Sequence, residues 1–236
     1  MIESCGCFWL IKALSSSIGQ KLVMAITGLA LCGFLVAHLG GNLLMYVGAE
    51  HYNNYARRLH AQEILLIIAE LGLLVMFVLH IWLALKTSVD NNAARPADYA
   101  MRQTKMPEGP LAAPASATML ITGVIVLGFL IVHLSDFKLF DRLSNWRHQG
   151  AQGQPALMPF AKAVLILQDP ISALVYIVGS LVLGYHVLHG VESAFQTLGL
   201  NHPKYTPIVK FVSLIFALTV AVGFASFPLW VWAFKS

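Results

Sequence analysis

Five long apolar segments constrain this chain more than any other feature of its sequence. They run over residues 22–47, 64–86, 111–134, 170–196 and 208–234. Each is close to the roughly 20 residues that an α-helix needs to cross a hydrocarbon core about 30 Å thick. Lipid offers no hydrogen bonds to a backbone, so segments of this kind must be helical. We therefore predict an all-α integral membrane bundle of five transmembrane helices, formed as one domain over residues 1–236.

Composition and charge exclude several functional classes. Only 11% of the residues are charged, against roughly 25% in an ordinary soluble domain. The net charge of +4 comes from Lys and Arg scattered between the apolar segments, which argues against nucleic acid and favours membrane lipid or a partner subunit. Cys5, Cys7 and Cys32 form no C-x-x-C motif. This chain is therefore not expected to ligate an iron–sulfur cluster or attach haem covalently.

The distribution of Lys and Arg also bears on orientation. If the five spans alternate in direction, eight basic residues lie on the N-terminal side of the membrane and seven on the other. Because basic residues favour the cytoplasmic side, this small difference predicts a cytoplasmic N-terminus.

Five histidines lie inside the apolar segments: His38, His80, His133, His186 and His189. A buried imidazole must find partners for its ring nitrogens or carry a desolvation cost. Successive spans run in opposite directions, so we expect His38 and His133 at one level of the bilayer and His80 and His186 at the other. At about 1.5 Å per residue, the two levels are expected to be roughly 10 to 15 Å apart.

Two facing imidazoles on different helices are the ligands of a six-coordinate b-type haem. Small residues beside them would let a flat macrocycle approach the backbone, and they include Gly33, Gly40, Gly41, Gly123, Gly128, Gly179, Gly184 and Gly190. Two levels thus predict a bundle enclosing two stacked haems. A zinc or copper site is disfavoured, because neither pair of imidazoles is expected to be joined by a carboxylate or thiolate ligand. For a single histidine the alternative is a helix–helix hydrogen bond, but four histidines at two matched depths favour haem.

Long stretches of the sequence also carry a resemblance to a known family. They read SSIGQKLVMAITGLAL, HLGGNLLMYVGAEHYNNYARRL, LHIWLAL, IVHLSDF and GYHVLHGVESAFQTLGLN. In these stretches the chain resembles the diheme cytochrome b subunit, of the cytochrome b558 type, that anchors succinate dehydrogenase and fumarate reductase in the membrane.

The resemblance implies specific haem ligands. His38 and His133 would hold the distal haem, and His80 and His186 would hold the proximal haem, nearer the iron–sulfur subunit. His186 matches the ligand position of the family, while His189, about one turn nearer the surface, could replace it or bond a propionate.

Other polar residues have less specific interpretations. Asn42 could bond a propionate or simply pack. Arg57, Arg58, Lys86 and Arg142 could neutralise propionates or anchor the helices at the membrane surface.

The resemblance further implies that the chain is the membrane anchor of a succinate:menaquinone oxidoreductase in a bacterial cell membrane. It would pass electrons between an iron–sulfur subunit and membrane quinone, and the complex could form a higher oligomer. FAD and the dicarboxylate site would belong to a flavoprotein subunit. This chain lacks a dinucleotide-binding motif and a cysteine ligand set, which agrees with that division of labour.

Quinone chemistry moves protons, and a carboxyl group near the distal haem is the natural carrier. Glu63 and Glu70 enter the second span at the His38 level and are the predicted carriers. Glu63 could instead be a solvated helix start, whereas Glu70 is expected to be buried and therefore to need a partner.

Two other functional classes remain open from the sequence. One is a cytochrome b anchor of another quinone-linked oxidoreductase, such as a hydrogenase or formate dehydrogenase, although the SAFQTLGLN segment favours the succinate family. The other is a haem-free helical transporter or packing subunit.

Overall fold

The computed structural model describes residues 8–93, 115–139 and 158–235. None of these residues is in a strand. The helices are α1 (Phe8–Ser15), α2 (Ser17–Val47), α3 (Ala49–His60), α4 (Glu63–Ala93), α5 (Ala115–Leu134), a π-helical segment (Ser135–Leu139), α6 (Pro159–Gln168), α7 (Pro170–Thr197) and α8 (Thr206–Phe234). Helices α2, α4, α5, α7 and α8 are long and apolar enough to cross a membrane. The predicted all-α fold with five spans is therefore confirmed.

The observed helices extend the predicted spans at several ends. Helix α2 begins at Ser17 rather than near residue 22, and α4 continues to Ala93 rather than ending near residue 86. Residues 111–114 of the third predicted span lie outside the described residues. So do residues 140–157. They make up most of the long excursion over residues 135–162, between the third and fourth predicted spans, where the sequence favours amphipathic pieces at the membrane interface.

Local capping explains where two of the spans begin. The Ser16 hydroxyl accepts a hydrogen bond from the Gly19 backbone N–H at 3.1 Å and caps α2. Asp169 caps α7 by accepting from the Ser172 N–H at 3.0 Å, and Pro170 occupies the first turn, as the sequence predicts.

Gly48 separates α2 from α3. Its φ of +132° lies in a region that residues with a side chain rarely adopt. This conformation ends α2 and lets the chain turn directly into α3.

Helix α7 is central to the packing. It contacts α8 along its length and also packs against α2 and α5. Helix α4 packs on α2 and makes few contacts with α5. The four helices α4, α2, α7 and α5 therefore follow one another, and α8 lies against α7 and α2.

The two ends of the bundle differ. Helices α2, α5 and α8 finish, and α4 and α7 begin, at the end that also carries α3 and α6, which we call the α3 end. The opposite end, near α1, is the α1 end. The buried core is concentrated at the α3 end, where it includes Leu39, Met45, Ile166, Tyr176, Phe227 and Val231. The outer faces of α4 and α5 expose apolar side chains, as expected where lipid covers a helix.

Helices α3 and α6 were not predicted as elements. Helix α6 overlaps the end of the predicted 135–162 excursion, which was expected to contain amphipathic pieces at the interface. In the structure α6 packs against α3, α7 and α8 and buries Ala163, Ile166 and Leu167. It has ten residues, which is too short to span a membrane.

Candidate functional site

His38 on α2 and His133 on α5 meet near the α3 end. Their ring centroids are 5.8 Å apart and the ring planes are inclined at 83°. Both side chains are half-buried. Within the part of the chain that the structure describes, the buried Nδ1 of His133 has no hydrogen-bond partner. The rings that pack around the pair are those of Phe34, Phe129, Phe137, Tyr176 and Phe224.

His80 on α4 and His186 on α7 are each held by a threonine of another helix. The Nδ1 of His80 lies 3.3 Å from the Thr27 hydroxyl of α2 and 3.3 Å from the Met24 carbonyl oxygen. The Nδ1 of His186 lies 3.1 Å from the Thr122 hydroxyl of α5. The two imidazoles are also close enough to each other to interact electrostatically.

The hydrogen bonds of these threonines bear on which ring nitrogen of each histidine carries the hydrogen. A hydroxyl has one hydrogen. Thr27 shares it between the carbonyls of Val23 and Met24, at 2.9 and 3.0 Å. Nδ1 of His80 also faces the Met24 carbonyl oxygen, which can only accept. This arrangement favours a hydrogen on Nδ1 of His80, with the Thr27 hydroxyl accepting from it. A lone pair is then left on Nε2, which is the nitrogen that can bind a metal.

The same reasoning applies at the second threonine. Thr122 donates to the carbonyl oxygens of Thr118 and Met119, at 2.9 and 3.2 Å. With its hydrogen donated to the backbone, the hydroxyl is an acceptor for Nδ1 of His186, and Nε2 of His186 then keeps its lone pair.

Glycines directly after the two threonines make room for the rings. A Cβ built on Gly28 would lie 3.2 Å from Cε1 of His80, and one on Gly123 would lie 3.4 Å from Cε1 of His186. Two other glycines expected beside a macrocycle have a different role. Gly179 packs against Phe129, and Gly184 packs against α8 at Ala221 and Ala217, because close helix packing leaves no space for a side chain there.

The two pairs of histidines occupy two levels of the bundle. Thr27 and His38 are eleven residues apart on α2, as are Thr122 and His133 on α5. That spacing is three helical turns and corresponds to about 16 Å at a rise of about 1.5 Å per residue. Helices α2 and α5 run in the same direction and meet at their histidines, so the two threonines also share a level. The separation is slightly longer than the expected 10 to 15 Å.

Thr27 and Thr122 were not among the predicted site residues. The hydroxyl of a threonine in an apolar helix ordinarily bonds a carbonyl oxygen of the same helix. Such a threonine alone therefore does not indicate a functional site. An internal repeat is the signal that identifies them. MAITGLALCGFLVAHL at 24–39 and MLITGVIVLGFLIVHL at 119–134 are identical at nine of sixteen positions. The repeat aligns Thr27 with Thr122 and His38 with His133.

His189, the alternative ligand, lies on α7 beside His186. Its ring meets Tyr185 edge-on, with centroids 4.6 Å apart. Nε2 of His189 is buried without a hydrogen-bond partner among the described residues. Among the described residues, no threonine hydroxyl bonds Nδ1 of His189. The surroundings of His189 therefore differ from those of His80 and His186.

Asn42 connects the backbone of α2 to α3. Its Nδ2 donates to the His38 carbonyl oxygen at 2.8 Å, and its Oδ1 accepts from the Tyr52 hydroxyl at 3.3 Å. Burial, with a smaller contribution from Tyr55, raises the pKa of Tyr52. Tyr52 therefore stays protonated and remains a donor to Asn42.

The predicted proton carriers lie at the α3 end. Glu63 is exposed at the first residue of α4. Glu70 forms an ion pair with Lys138 of the π-helical segment, with Oε1 and Nζ 2.6 Å apart and both side chains about half exposed. Glu70 therefore has a partner, as predicted, but its predicted burial is wrong, because it lies on an outer face of α4. The ion pair joins α4 to the segment that follows His133.

The basic residues considered for propionates are spread over both ends. Arg57 and Arg58 are exposed on α3. Lys86 pairs with Asp90 of its own helix at 2.6 Å. Arg142 lies outside the described residues.

Asp136 is a buried carboxylate that the predictions used only as the end of the third span. It is 1% exposed and follows His133 by three residues. The Tyr176 hydroxyl of α7 donates to its Oδ2 at 3.1 Å.

The geometry of the histidines can be compared with the needs of a haem iron. A six-coordinate haem iron would be held by one imidazole nitrogen from each of two facing histidines. His38 and His133, with ring centroids 5.8 Å apart, would be such a pair. No group of three or more metal-ligating side chains occurs in residues 8–93, 115–139 and 158–235. A haem iron needs only two such ligands, and the residues fit that requirement.

No family model, curated protein or solved structure matches this chain. The function must therefore be argued from the geometry of the histidines and their neighbours.

Proposed function

We propose that this chain is the membrane anchor of a succinate:menaquinone oxidoreductase, a diheme cytochrome b that exchanges electrons between an iron–sulfur subunit and membrane quinone. His38 and His133 would hold one b-type haem, and His80 and His186 would hold the other. The observation that carries the proposal is the ring contact of His38 with His133 at one level, together with His80 and His186, each bonded to a threonine of another helix, at the other level.

The hydrogen bonds of His80 and His186 favour ligation over helix packing. A histidine that only joins two helices gains most when both ring nitrogens are bonded. Here Thr27 and Thr122 hold Nδ1, and the lone pair on Nε2 is left for another partner. A b-type haem bound there would supply reversible one-electron transfer.

The surroundings of the second pair favour the same interpretation. Aromatic rings pack against both His38 and His133. Asn42 fixes the backbone at His38 through its carbonyl oxygen.

The carboxylates at the α3 end support a quinone site near the His38 level. Glu70 and Glu63 remain the proposed proton carriers, and Asp136 joins them because it is buried beside Tyr176. In this arrangement the α1 end, near His80 and His186, docks the iron–sulfur subunit. The flavoprotein subunit carries FAD and the dicarboxylate site. We place the N-terminus on the cytoplasmic side of a bacterial membrane.

The decisive experiment is the haem content of the purified full chain. We expect b-type bands in the reduced-minus-oxidised spectrum, two haems per chain in the pyridine haemochromogen assay, and two components in a redox titration. Flavoprotein and iron–sulfur subunits are expected to copurify from the native membrane. Absence of b-type bands would refute the proposal and favour a haem-free transporter. Copurified hydrogenase or formate dehydrogenase subunits would assign the chain to another oxidoreductase.

A further inference from the structure

We infer that Thr27-Gly28 and Thr122-Gly123 are equivalent positioning sites that set the ring orientation and the tautomer of His80 and His186 from a neighbouring helix. We call each dipeptide a threonine clasp. The role of the clasps toward haem rests on the proposed function, whereas their effect on the histidine rings does not. Thr27 and Thr122 are positioning residues, since they act through the imidazoles.

The first step of the argument is directional. Each threonine hydroxyl donates its hydrogen to carbonyl oxygens one turn earlier on its own helix. While it does so, it is an acceptor for Nδ1 of the imidazole. Turning the ring over would replace the N–H that faces the hydroxyl by a C–H and would break the bond. Each clasp thus selects one orientation of the ring and one tautomer.

The second step concerns space. The residue after each threonine is a glycine, and a Cβ there would come within 3.2 Å of His80 or 3.4 Å of His186. The ring can approach the hydroxyl only because this position has no side chain. The threonine and the glycine therefore act together.

The third step is the repetition of the arrangement. The dipeptide occurs at the same place in the repeats 24–39 and 119–134. The segments between each threonine and its histidine differ in length, at 53 residues for Thr27 and 64 for Thr122. The same threonine–histidine contact therefore forms although the connecting segments differ in length. This indicates that the contact does not depend on the connecting segment.

The two clasps are not equally strong. The Nδ1 of His80 has a second acceptor, the Met24 carbonyl oxygen at 3.3 Å. For His186, the acceptor that the structure describes is the Thr122 hydroxyl alone. Loss of Thr122 should therefore affect its histidine more than loss of Thr27.

The test uses the full chain with Thr27→Val, Thr122→Val and the conservative Thr27→Ser and Thr122→Ser. Thr219→Val is the matched control, because the Thr219 hydroxyl bonds the Ile215 carbonyl of its own helix on an exposed face of α8.

The first readout is the ¹⁵N NMR spectrum of protein labelled at its histidines. If the protein binds haem, the spectrum is recorded with the haem iron reduced. We expect two histidines, His80 and His186, to show a protonated, hydrogen-bonded Nδ1. The Nδ1 signal of His186 should shift in Thr122→Val, and that of His80 should shift less in Thr27→Val.

The second readout is haem binding. Removing an outer hydrogen-bond partner of a ligating histidine typically weakens metal binding about 10-fold to 100-fold. We expect a loss in this range for Thr122→Val and a smaller one for Thr27→Val. A less basic imidazole stabilises ferric iron less, so the midpoint potential of the affected haem should rise. The serine variants should restore both properties, and Thr219→Val should change neither.

The outcomes separate this inference from the proposed function. Valine variants with unchanged ¹⁵N signals, or serine variants that behave like valine, would overturn the clasps. If the wild-type chain binds no haem, the proposed function fails, and the ¹⁵N signals of the haem-free chain still decide whether the clasps exist.

Discussion

His38 and His133 lie edge to face with ring centroids 5.8 Å apart, although ninety-five residues separate them in the sequence. The contact joins α2 to α5 near the α3 end. Because the two histidines occupy equivalent places in the internal repeat, their contact brings the two copies together at one point.

This contact predicts that His38 and His133 act as a unit. His38→Ala and His133→Ala should each lower the haem content from two per chain to one, since one remaining imidazole does not hold a six-coordinate b-type haem. The double variant should lose no more than either single variant. The pyridine haemochromogen assay measures this directly. Two haems retained in either single variant would contradict the assignment of this pair.

His186 and His189 can be separated by substitution. His186→Ala should remove one haem, because the Thr122 hydroxyl orients its ring. His189→Phe should keep both haems and should not lower the melting temperature. Its Nε2 is buried without a partner among the described residues, and removing such an atom relieves a desolvation penalty of about 1 to 3 kcal/mol. Haem loss in His189→Phe together with full haem content in His186→Ala would reverse the assignment.

Gly28 should tolerate no side chain. Gly28→Ala would place a Cβ 3.2 Å from His80 and push the ring away from Thr27, so we expect a lower haem content. Gly72→Ala is the control, because a Cβ there meets no atom within 4 Å and helix propensity favours alanine by up to about 1 kcal/mol. Haem titration and thermal melts of both variants test this. Equal haem affinity in the two variants would contradict it.

Tyr176→Phe should destabilise the α3 end. The ring can keep its contacts with Phe129 and His133, but the buried Asp136 carboxylate loses a hydrogen bond. Hydrogen bonds to charged groups contribute about 1.5 to 3 kcal/mol, so the melting temperature in detergent should fall. Tyr46→Phe removes a hydroxyl that bonds Ser226 on an exposed surface and should have a smaller effect. A larger effect at Tyr46 would be evidence against this interpretation of Asp136.

Variants of Glu70 and Lys138 should distinguish an ion pair from a proton carrier. If the ion pair is the main role, Glu70→Gln and Lys138→Gln should lower the melting temperature similarly, and the reversed pair Glu70→Lys with Lys138→Glu should restore it. If Glu70 also carries quinone protons, Glu70→Gln alone should lower the quinone reductase activity of the complex. Equal activity of Glu70→Gln and Lys138→Gln would remove Glu70 from the proposed proton carriers.

The parts of the fold that depend on local sequence could be predicted. Apolar segments of membrane length determined the five spans, and the start of α7 followed from Asp169 and Pro170. Helices α3 and α6 have 12 and 10 residues, so a search for segments of membrane length does not detect them.

The candidate site was only partly predictable for a different reason. Alternating spans were enough to expect His38 near His133. The roles of Thr27 and of Gly179 depend on which side chain of another helix lies opposite them, namely His80 and Phe129. A linear sequence does not give these neighbours.

The repeat in α2 and α5 has a consequence for symmetry. His38 faces His133, the equivalent residue of the other repeat. The Thr27 clasp of α2 faces His80 of α4, and the Thr122 clasp of α5 faces His186 of α7. A protein of half this length, with one copy of the repeat and one clasped histidine, would lack a partner for each imidazole. It would obtain both by associating with a second copy about a two-fold axis along the membrane normal. In this arrangement a homodimer is sufficient to assemble both levels.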